Sequence, residues 1–231
     1  MNILITGASK GIGFDTALEL AESNENRILA ISRSEEGLKR LSESAKHSNI
    51  SIRAGDINEL TKRPEKLYKM VTGTFGRLDI LINNAAYLVS GPFHEYTDLD
   101  TDLLIATNFS SPLKIIRTLI SLMHKGGHVI NIGSMAGFQG STKYPGISVY
   151  SATKAAISSL TECLAAEYRD KGISFNCLGF GAVQTEMLDL AFPGYKAPIN
   201  SASMASFVAW FACNGQKYFN GKILPVSTNT P

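Results

Sequence analysis

A glycine-rich turn set between a short apolar run and a helical pattern constrains this chain more than any other feature. Residues 2–6 read Asn-Ile-Leu-Ile-Thr and run on into Gly7-Ala8-Ser9-Lys10-Gly11-Ile12-Gly13, after which apolar residues recur at helical spacing. Glycines let a backbone turn tightly and come close to a ligand. A helix start adds free N–H groups and the positive end of its dipole. In this context Gly7, Gly11 and Gly13, with Ser9, Lys10 and Ile12 beside them, form a site for a pyrophosphate. A P-loop is excluded, because no Gly-Lys-Ser/Thr follows.

The rest of the chain repeats the same alternation. Strands are predicted over 2–6, 27–32, 50–53, 79–83, 128–133, 174–178 and 222–226, several of them apolar almost throughout. Helices are predicted over 11–23, 35–46, 64–73, 99–124, 149–170 and 201–213. Continuous apolar strands suit a parallel sheet covered on both faces, and strand–helix alternation implies βαβ units. The expected fold is therefore α/β: a Rossmann-type doubly wound parallel sheet of about seven strands with helices on both faces. No repeat or linker divides the 231 residues, so a single domain over 1–231 is expected. Residues 185–200, with Pro193, Gly194 and Pro198 among aromatic residues, read as a loop or short mobile helix and a candidate substrate lid.

The end of the second strand chooses between two dinucleotides. An acid there hydrogen-bonds the ribose hydroxyls, whereas an arginine meets a 2′-phosphate. Here Ser32-Arg33 stands at that end, with Lys10 nearby in the glycine turn. Two cations and no acid favour NADP(H) over NAD(H). Glu35 and Glu36 read as the acidic first turn of the next helix.

Tyr150-Ser151-Ala152-Thr153-Lys154 places a phenol and an ammonium four residues apart on one helix face. A free tyrosine has a pKa of about 10, so acting near neutral pH needs a drop worth about 4 kcal/mol. One cation about 5 Å away contributes roughly 3 kcal/mol at an effective dielectric of 20. Lys154 is therefore expected to supply most of the shift. Ser134 lies in Gly-Ser-Met-Ala-Gly at the end of the fifth strand; Ile132 occupies the first position of a Gly-x-Ser-x-Gly pattern, which removes a hydrolase reading.

Taken together, these motifs resemble the short-chain dehydrogenase/reductase family over nearly the whole chain. They run in the family's order, from the TGASKGIG turn through Asp56 and Asn83-Asn84-Ala85 to Ser134, YSATK and the last strand. The resemblance implies an NADP(H)-dependent enzyme acting on a small-molecule carbonyl or alcohol, akin to 3-oxoacyl reductases. It implies Tyr150 as general acid in reduction and base in oxidation. Lys154 lowers its pKa and holds the nicotinamide ribose, Ser134 bonds the substrate oxygen, and Asn108 passes protons towards water. It further implies cofactor contacts at Asp56 and Ile57, at Asn83 and Ala85, and at Gly181, Val183 and Thr185. Independently of the resemblance, Pro112 has no N–H to offer the carbonyl of Asn108 if the helix continues.

The chain departs from the family pattern at three places. Ala86 stands where glycine is usual, Phe180-Gly181 replaces Pro-Gly, and 140–146 lengthens the segment between Ser134 and Tyr150. The expected pocket wall comprises Tyr87, Leu88, Phe93, His94, Met135, Phe138, Tyr144, Met187, Phe192 and Tyr195, which suits an apolar or mixed carbonyl compound.

Several classes are set aside. A net charge of +2 marks neither a nucleic-acid nor a membrane surface. The four histidines lack metal-ligand spacing, so no metal is expected. Cys163, Cys177 and Cys213 form no CxxC pair and read as buried structural thiols in a reducing compartment. No signal segment precedes the first strand, and a soluble cytoplasmic protein is expected. Epimerases or dehydratases of the extended relatives need a substantial C-terminal domain, for which 179–231 is too short. A catalytically weak sensor or scaffold on the same fold is the alternative. The resemblance also implies a homodimer or homotetramer, paired through the long helices.

Overall fold

Strands form where apolar residues run without interruption, since only a sheet covered on both faces hides them all. Ile3, Leu4 and Ile5 are each fully buried, as are Ile28, Leu29 and Ala30. The structure, a computed structural model, describes residues 1–228; residues 229–231 of the expected domain lie outside the described residues.

In chain order the elements are β1 (Asn2–Thr6), α1 (Gly11–Ala21), β2 (Arg27–Ser32), α2 (Glu35–Ser44), β3 (Ile50–Ala54), α3 (Ile57–Leu60), α4 (Pro64–Phe75) and β4 (Leu78–Asn83). There follow α5 (Asp98–Ile105), α6 (Ser111–Leu119), β5 (Met123–Ser134), α7 (Ser148–Glu167), β6 (Ser174–Phe180), β7 (Val183–Gln184), α8 (Glu186–Ala191), β8 (Ile199–Asn200), α9 (Ser201–Asn214) and β9 (Lys222–Val226). The main sheet has seven strands in the order β3-β2-β1-β4-β5-β6-β9, every neighbouring pair parallel. Strand order reverses between β1 and β4, which opens a crevice at the carboxyl ends of those strands. Ala17, Leu38, Met204 and Phe211 bring α1, α2 and α9 onto one face. Leu67, Val71, Ile115, Leu119 and Ala165 bring α4, α6 and α7 onto the other.

The expected fold is the observed one, and the differences are local. The single helix expected over 99–124 is split. Between α5 and α6 lies one π-helical turn, Ala106–Ser110, in which the Ser111 N–H reaches back to the Ala106 carbonyl. Pro112, with no N–H of its own, follows directly as the second residue of α6. The helix also stops earlier, because β5 begins at Met123 opposite Leu78. Pairing then jumps to His128 opposite Ile80, and the bulged residues turn at Gly126, φ 91°. Residues 185–200 contain the six-residue helix α8, flanked by a small β7–β8 ladder.

Candidate active site

A cavity of about 1090 Å³ follows the carboxyl ends of β1, β2 and β4 and continues towards β5 and β6. The glycine turn forms the middle of its floor. Asn84 fastens that turn: its Nδ2 donates to the carbonyls of Thr6 at 3.0 Å and Gly7 at 3.1 Å. The Thr6 hydroxyl accepts from the backbone N–H groups of Asn84 and Ala85. α1 starts behind Lys10 with no side-chain cap, and Gly11, Ile12 and Gly13 line the cavity there. An uncapped helix start beside glycines is the donor set a pyrophosphate needs.

Where β2 ends, the hydroxyls of Ser9 and Ser32 stand 2.7 Å apart, and Arg33 lines the same stretch of wall. Asp56 caps α3, accepting from the Asn58 N–H at 2.8 Å, and both Asp56 and Ile57 face the cavity. The residues present thus fit a dinucleotide: backbone donors in the middle, hydroxyls and a guanidinium at one end, and a shaped wall at the other.

At the far end Ser134, Tyr150 and Lys154 line the cavity together. Ser134 closes β5, and its Oγ accepts from the Ala136 N–H at 3.1 Å, capping the short turn that follows. The same hydroxyl lies near the Tyr150 phenol and works to lower its pKa. Tyr150 and Lys154 sit one turn apart on α7, both buried, with the ammonium 5.6 Å from the centre of the phenol ring. Lys154 Nζ donates to the Ile132 carbonyl at 2.7 Å.

The expected drop in the tyrosine's pKa is not found in the protein alone. Burial pushes Tyr150 up to about 12, with the Ser134 hydroxyl pulling the other way. Lys154, also buried, is brought down to about 8, although neighbouring Cys177 favours its charge. The phenol is so thoroughly removed from water that desolvation outweighs every charge near it.

Two of the expected site residues are off the wall. Asn83 is buried under the cavity floor, donating to Asn131 Oδ1 at 2.9 Å. Strand alternation sends Asn83 into the sheet–α7 layer and leaves Asn84 to meet the ligand side. Asn108 is buried in the π-helical turn. Its Nδ2 donates to the Tyr87 carbonyl at 2.9 Å and to Thr153 Oγ1 at 3.1 Å, and its Oδ1 accepts from the Tyr87 N–H at 2.8 Å. The side chain therefore ties α7 to the segment after β4. The other expected cofactor residues, Ala85, Gly181, Val183 and Thr185 among them, line the cavity.

Of the expected pocket wall, Tyr87, Leu88, Met135, Tyr144, Met187, Phe192 and Tyr195 face the cavity. Phe93 and His94 project into solvent from a 3₁₀ turn, and Phe138 instead covers Gly179 of β6. The three departures acquire physical meaning. Ala86 is unstrained, since among the described residues only glycines have positive φ. Phe180 is buried in the core. The lengthened segment brings Tyr144 edge-on to Phe192, 6.0 Å between ring centres, and Lys143 anchors it on the carbonyls of Ala136 and Phe138. Cys163, expected to be buried, is exposed, because it lies on the outward face of α7.

Three features escaped the sequence reading: Asn84 as the clasp of the glycine turn, Arg40 on the cavity wall, and an ion pair from Lys10 to Glu186 of α8. Among the described residues there is no cluster of metal-ligating side chains and no helix long and apolar enough to cross a membrane.

The family pattern described as short chain dehydrogenase matches residues 1–195. An uncharacterized oxidoreductase of Thermotoga maritima is 36% identical over 80% of this chain and 73% of its own length. The 3-oxoacyl-(acyl-carrier-protein) reductase FabG of Staphylococcus aureus is 30% identical over 97% of this chain and 95% of its own. Among solved structures, a dehydrogenase/reductase from Sinorhizobium meliloti 1021 has a TM-score of 0.82 at 28% identity, covering 97% of this chain and 92% of that one. A short chain dehydrogenase from Burkholderia cenocepacia J2315 in complex with NADP has a TM-score of 0.84 at 22% identity, covering 97% and 95%, a likeness of fold.

Proposed function

The chain belongs to the short-chain dehydrogenase family of oxidoreductases, and we propose that it is an NADP(H)-dependent member interconverting a carbonyl and an alcohol. The observation that carries this reading is the convergence of Ser134, Tyr150 and Lys154 at one end of a cavity whose other end holds Ser9, Ser32 and Arg33. The nicotinamide, when bound, supplies or accepts the hydride.

The chain's own residues do the rest. Tyr150 donates a proton to the substrate oxygen in reduction and takes it back in oxidation. Ser134 offers a second donor to the same oxygen, and two donors aimed at a developing alkoxide are the electrostatic stabilisation this chemistry requires. With its phenol pushed up to about 12, Tyr150 carries its proton at neutral pH, the form that donates in reduction. Lys154 places a cation beneath the site and serves the nicotinamide ribose. Asn108 holds α7 in place through Thr153 and Tyr87. Met135, Tyr144, Met187 and Phe192 give the substrate end an apolar lining, which suits an apolar or mixed carbonyl compound. Residues 185–200 act as its lid.

The name of the Staphylococcus aureus relative supports a 3-oxoacyl group as one substrate class to test. The deciding experiment titrates the protein with NADPH and NADH, then assays a panel of ketones and aldehydes with Tyr150→Phe as control. Tight NADPH binding, turnover by the wild type and none by Tyr150→Phe with binding intact is the expected result. Binding without any turnover would favour a cofactor-sensing role on this fold, and full turnover by Tyr150→Phe would remove the assigned acid/base.

A further inference from the structure

Resting on the NADP(H) reading above, we infer that Arg40, not Lys10, is the second cation that reads the 2′-phosphate of the adenosine ribose. The residue types at the end of β2 make Lys10 the natural partner for Arg33, but the structure commits it elsewhere. Its ammonium is paired with the Glu186 carboxylate at the start of α8. Among the described residues neither Arg33 nor Arg40 forms an ion pair.

Arg40 reaches the site because α2 is laid directly against the glycine turn. Gly37 makes this possible: a Cβ there would fall 2.6 Å from the Ser9 carbonyl oxygen and 2.8 Å from Ser9 Cβ. One turn on, at i+3 and on the same face, Arg40 lies along the turn. Its Nη2 makes a long contact with the Ser9 carbonyl at 3.5 Å, and its guanidinium sits 5.2 Å from the centre of the Phe14 ring. Both anchors are neutral. They position the side chain without cancelling its charge, and they leave most of its five N–H donors for a ligand.

The donors then add up to a site for a dianion. Arg33 and Arg40 line the same end of the cavity as Ser9 and Ser32, whose hydroxyls are 2.7 Å apart. Guanidinium forks match phosphate oxygens better than an ammonium does. Two acids, Glu36 and Asp56, also line this end; Asp56 is turned to the Asn58 N–H that it caps, and the two guanidinium groups offset their charge while supplying the donors a phosphate needs. A cofactor without the phosphate finds at Ser32 a hydroxyl, not the carboxylate that would grip both ribose hydroxyls.

The test is a set of binding titrations on the full protein with NADPH, NADH, 2′,5′-ADP and 5′-AMP. The variants are Arg40→Met, Arg40→Lys, Lys10→Met and Arg33→Ala, with circular dichroism to check folding. Arg40→Met keeps an unbranched chain over Phe14 and removes the guanidinium, its charge and its donors. It should weaken NADPH and 2′,5′-ADP by roughly 10- to 100-fold, the loss of a charge-assisted contact, while NADH and 5′-AMP hardly change. Arg40→Lys should recover part of the loss, and Lys10→Met should discriminate far less between the two cofactors. Equal weakening of NADPH and NADH by Arg40→Met, or sharper discrimination by Lys10→Met, would overturn the assignment. If the wild type prefers NADPH and only Arg33→Ala erases that preference, this inference fails and the NADP(H) reading stands. If the wild type shows no preference, both fail.

Discussion

Lys154 donates to the carbonyl oxygen of Ile132 at 2.7 Å from a side chain that is 3% exposed. It forms no ion pair among the described residues, so its ammonium is held inside the protein by a neutral partner. Burial lowers its pKa from 10.5 to about 8. Below pH 8 the lysine is charged in both folded and unfolded chains, and the folded state carries the full penalty. Between pH 8 and 10.5 the folded chain releases the proton while the unfolded chain keeps it, so stability rises with pH. The shift corresponds to about 3 kcal/mol. Urea unfolding of wild type and Lys154→Met across this window should therefore show the wild type gaining about 3 kcal/mol relative to the variant. Parallel pH profiles would mean that the lysine does not bear this charge in the fold.

A second buried base sets the acid limit. His128 on β5 is fully buried, with Nδ1 3.1 Å from the Ala212 carbonyl and Nε2 accepting from Asn176 Nδ2 at 3.0 Å. That pairing requires the neutral ring with its proton on Nδ1. Desolvation brings the pKa from 6.5 to about 4. The stability is present above pH 6.5 and is lost as pH falls through 4, because the unfolded histidine takes up its proton first. The expected loss over that window is about 3 kcal/mol. His128→Leu should be less stable at every pH, since Asn176 and Ala212 lose their partner, yet lack this acid slope. An unchanged slope in the variant would assign the acid sensitivity to other groups.

How far the sequence could be read depended on whether a local pattern had a single physical outcome. Apolar runs such as Ile28-Leu29-Ala30-Ile31 had one, and β2 spans the expected residues. The glycine turn, Tyr150 with Lys154, and Ser134 at the end of β5 were legible for the same reason. Asn83 and Asn84 were not separable by motif, since their difference lies in which face of the sheet each meets. The break in the helix at Ala106–Ser110 was foreshadowed by Pro112, but the chain could answer the missing N–H with a kink, a stop or a π turn. Arg40 was invisible because its relevance depends on how closely Gly37 lets α2 approach Ser9. The pKa of Tyr150 was misjudged because one cation was weighed without the desolvation of the phenol.

Two glycine-to-alanine substitutions should act in opposite directions. At Gly13 a Cβ would fall 2.3 Å from Asn84 Nδ2 and 2.4 Å from the Gly7 carbonyl oxygen, so Gly13→Ala must push the clasp off the glycine turn. It should cost stability by about 1–3 kcal/mol and weaken cofactor binding with it. At Gly73, inside α4, a Cβ meets nothing within 4 Å. Gly73→Ala should raise stability by about 0.5–1 kcal/mol and leave the cofactor untouched. Thermal unfolding with and without NADPH reads both effects. A neutral Gly13→Ala would show that the turn can open without disturbing the site.

The Lys10–Glu186 pair joins the glycine turn to the first turn of α8, and Thr185 caps that helix by accepting from the Leu188 N–H at 3.3 Å. Both charged side chains are more than half exposed, at 59% and 67%. A pair this open contributes up to about 1 kcal/mol, about five-fold in a rate, and salt screens it. If residues 185–200 are the lid, breaking the pair should release bound cofactor faster while leaving the proton-transfer groups untouched. Stopped-flow dissociation of NADPH should therefore speed up a few-fold in Glu186→Gln at low ionic strength. Raising the salt should bring the wild type up to the variant's rate, with the variant itself changing less. Equal dissociation rates at low salt would leave the ion pair as surface decoration and place the lid's hold on the cofactor in its apolar contacts, with Tyr144 against Phe192 as the next pair to break.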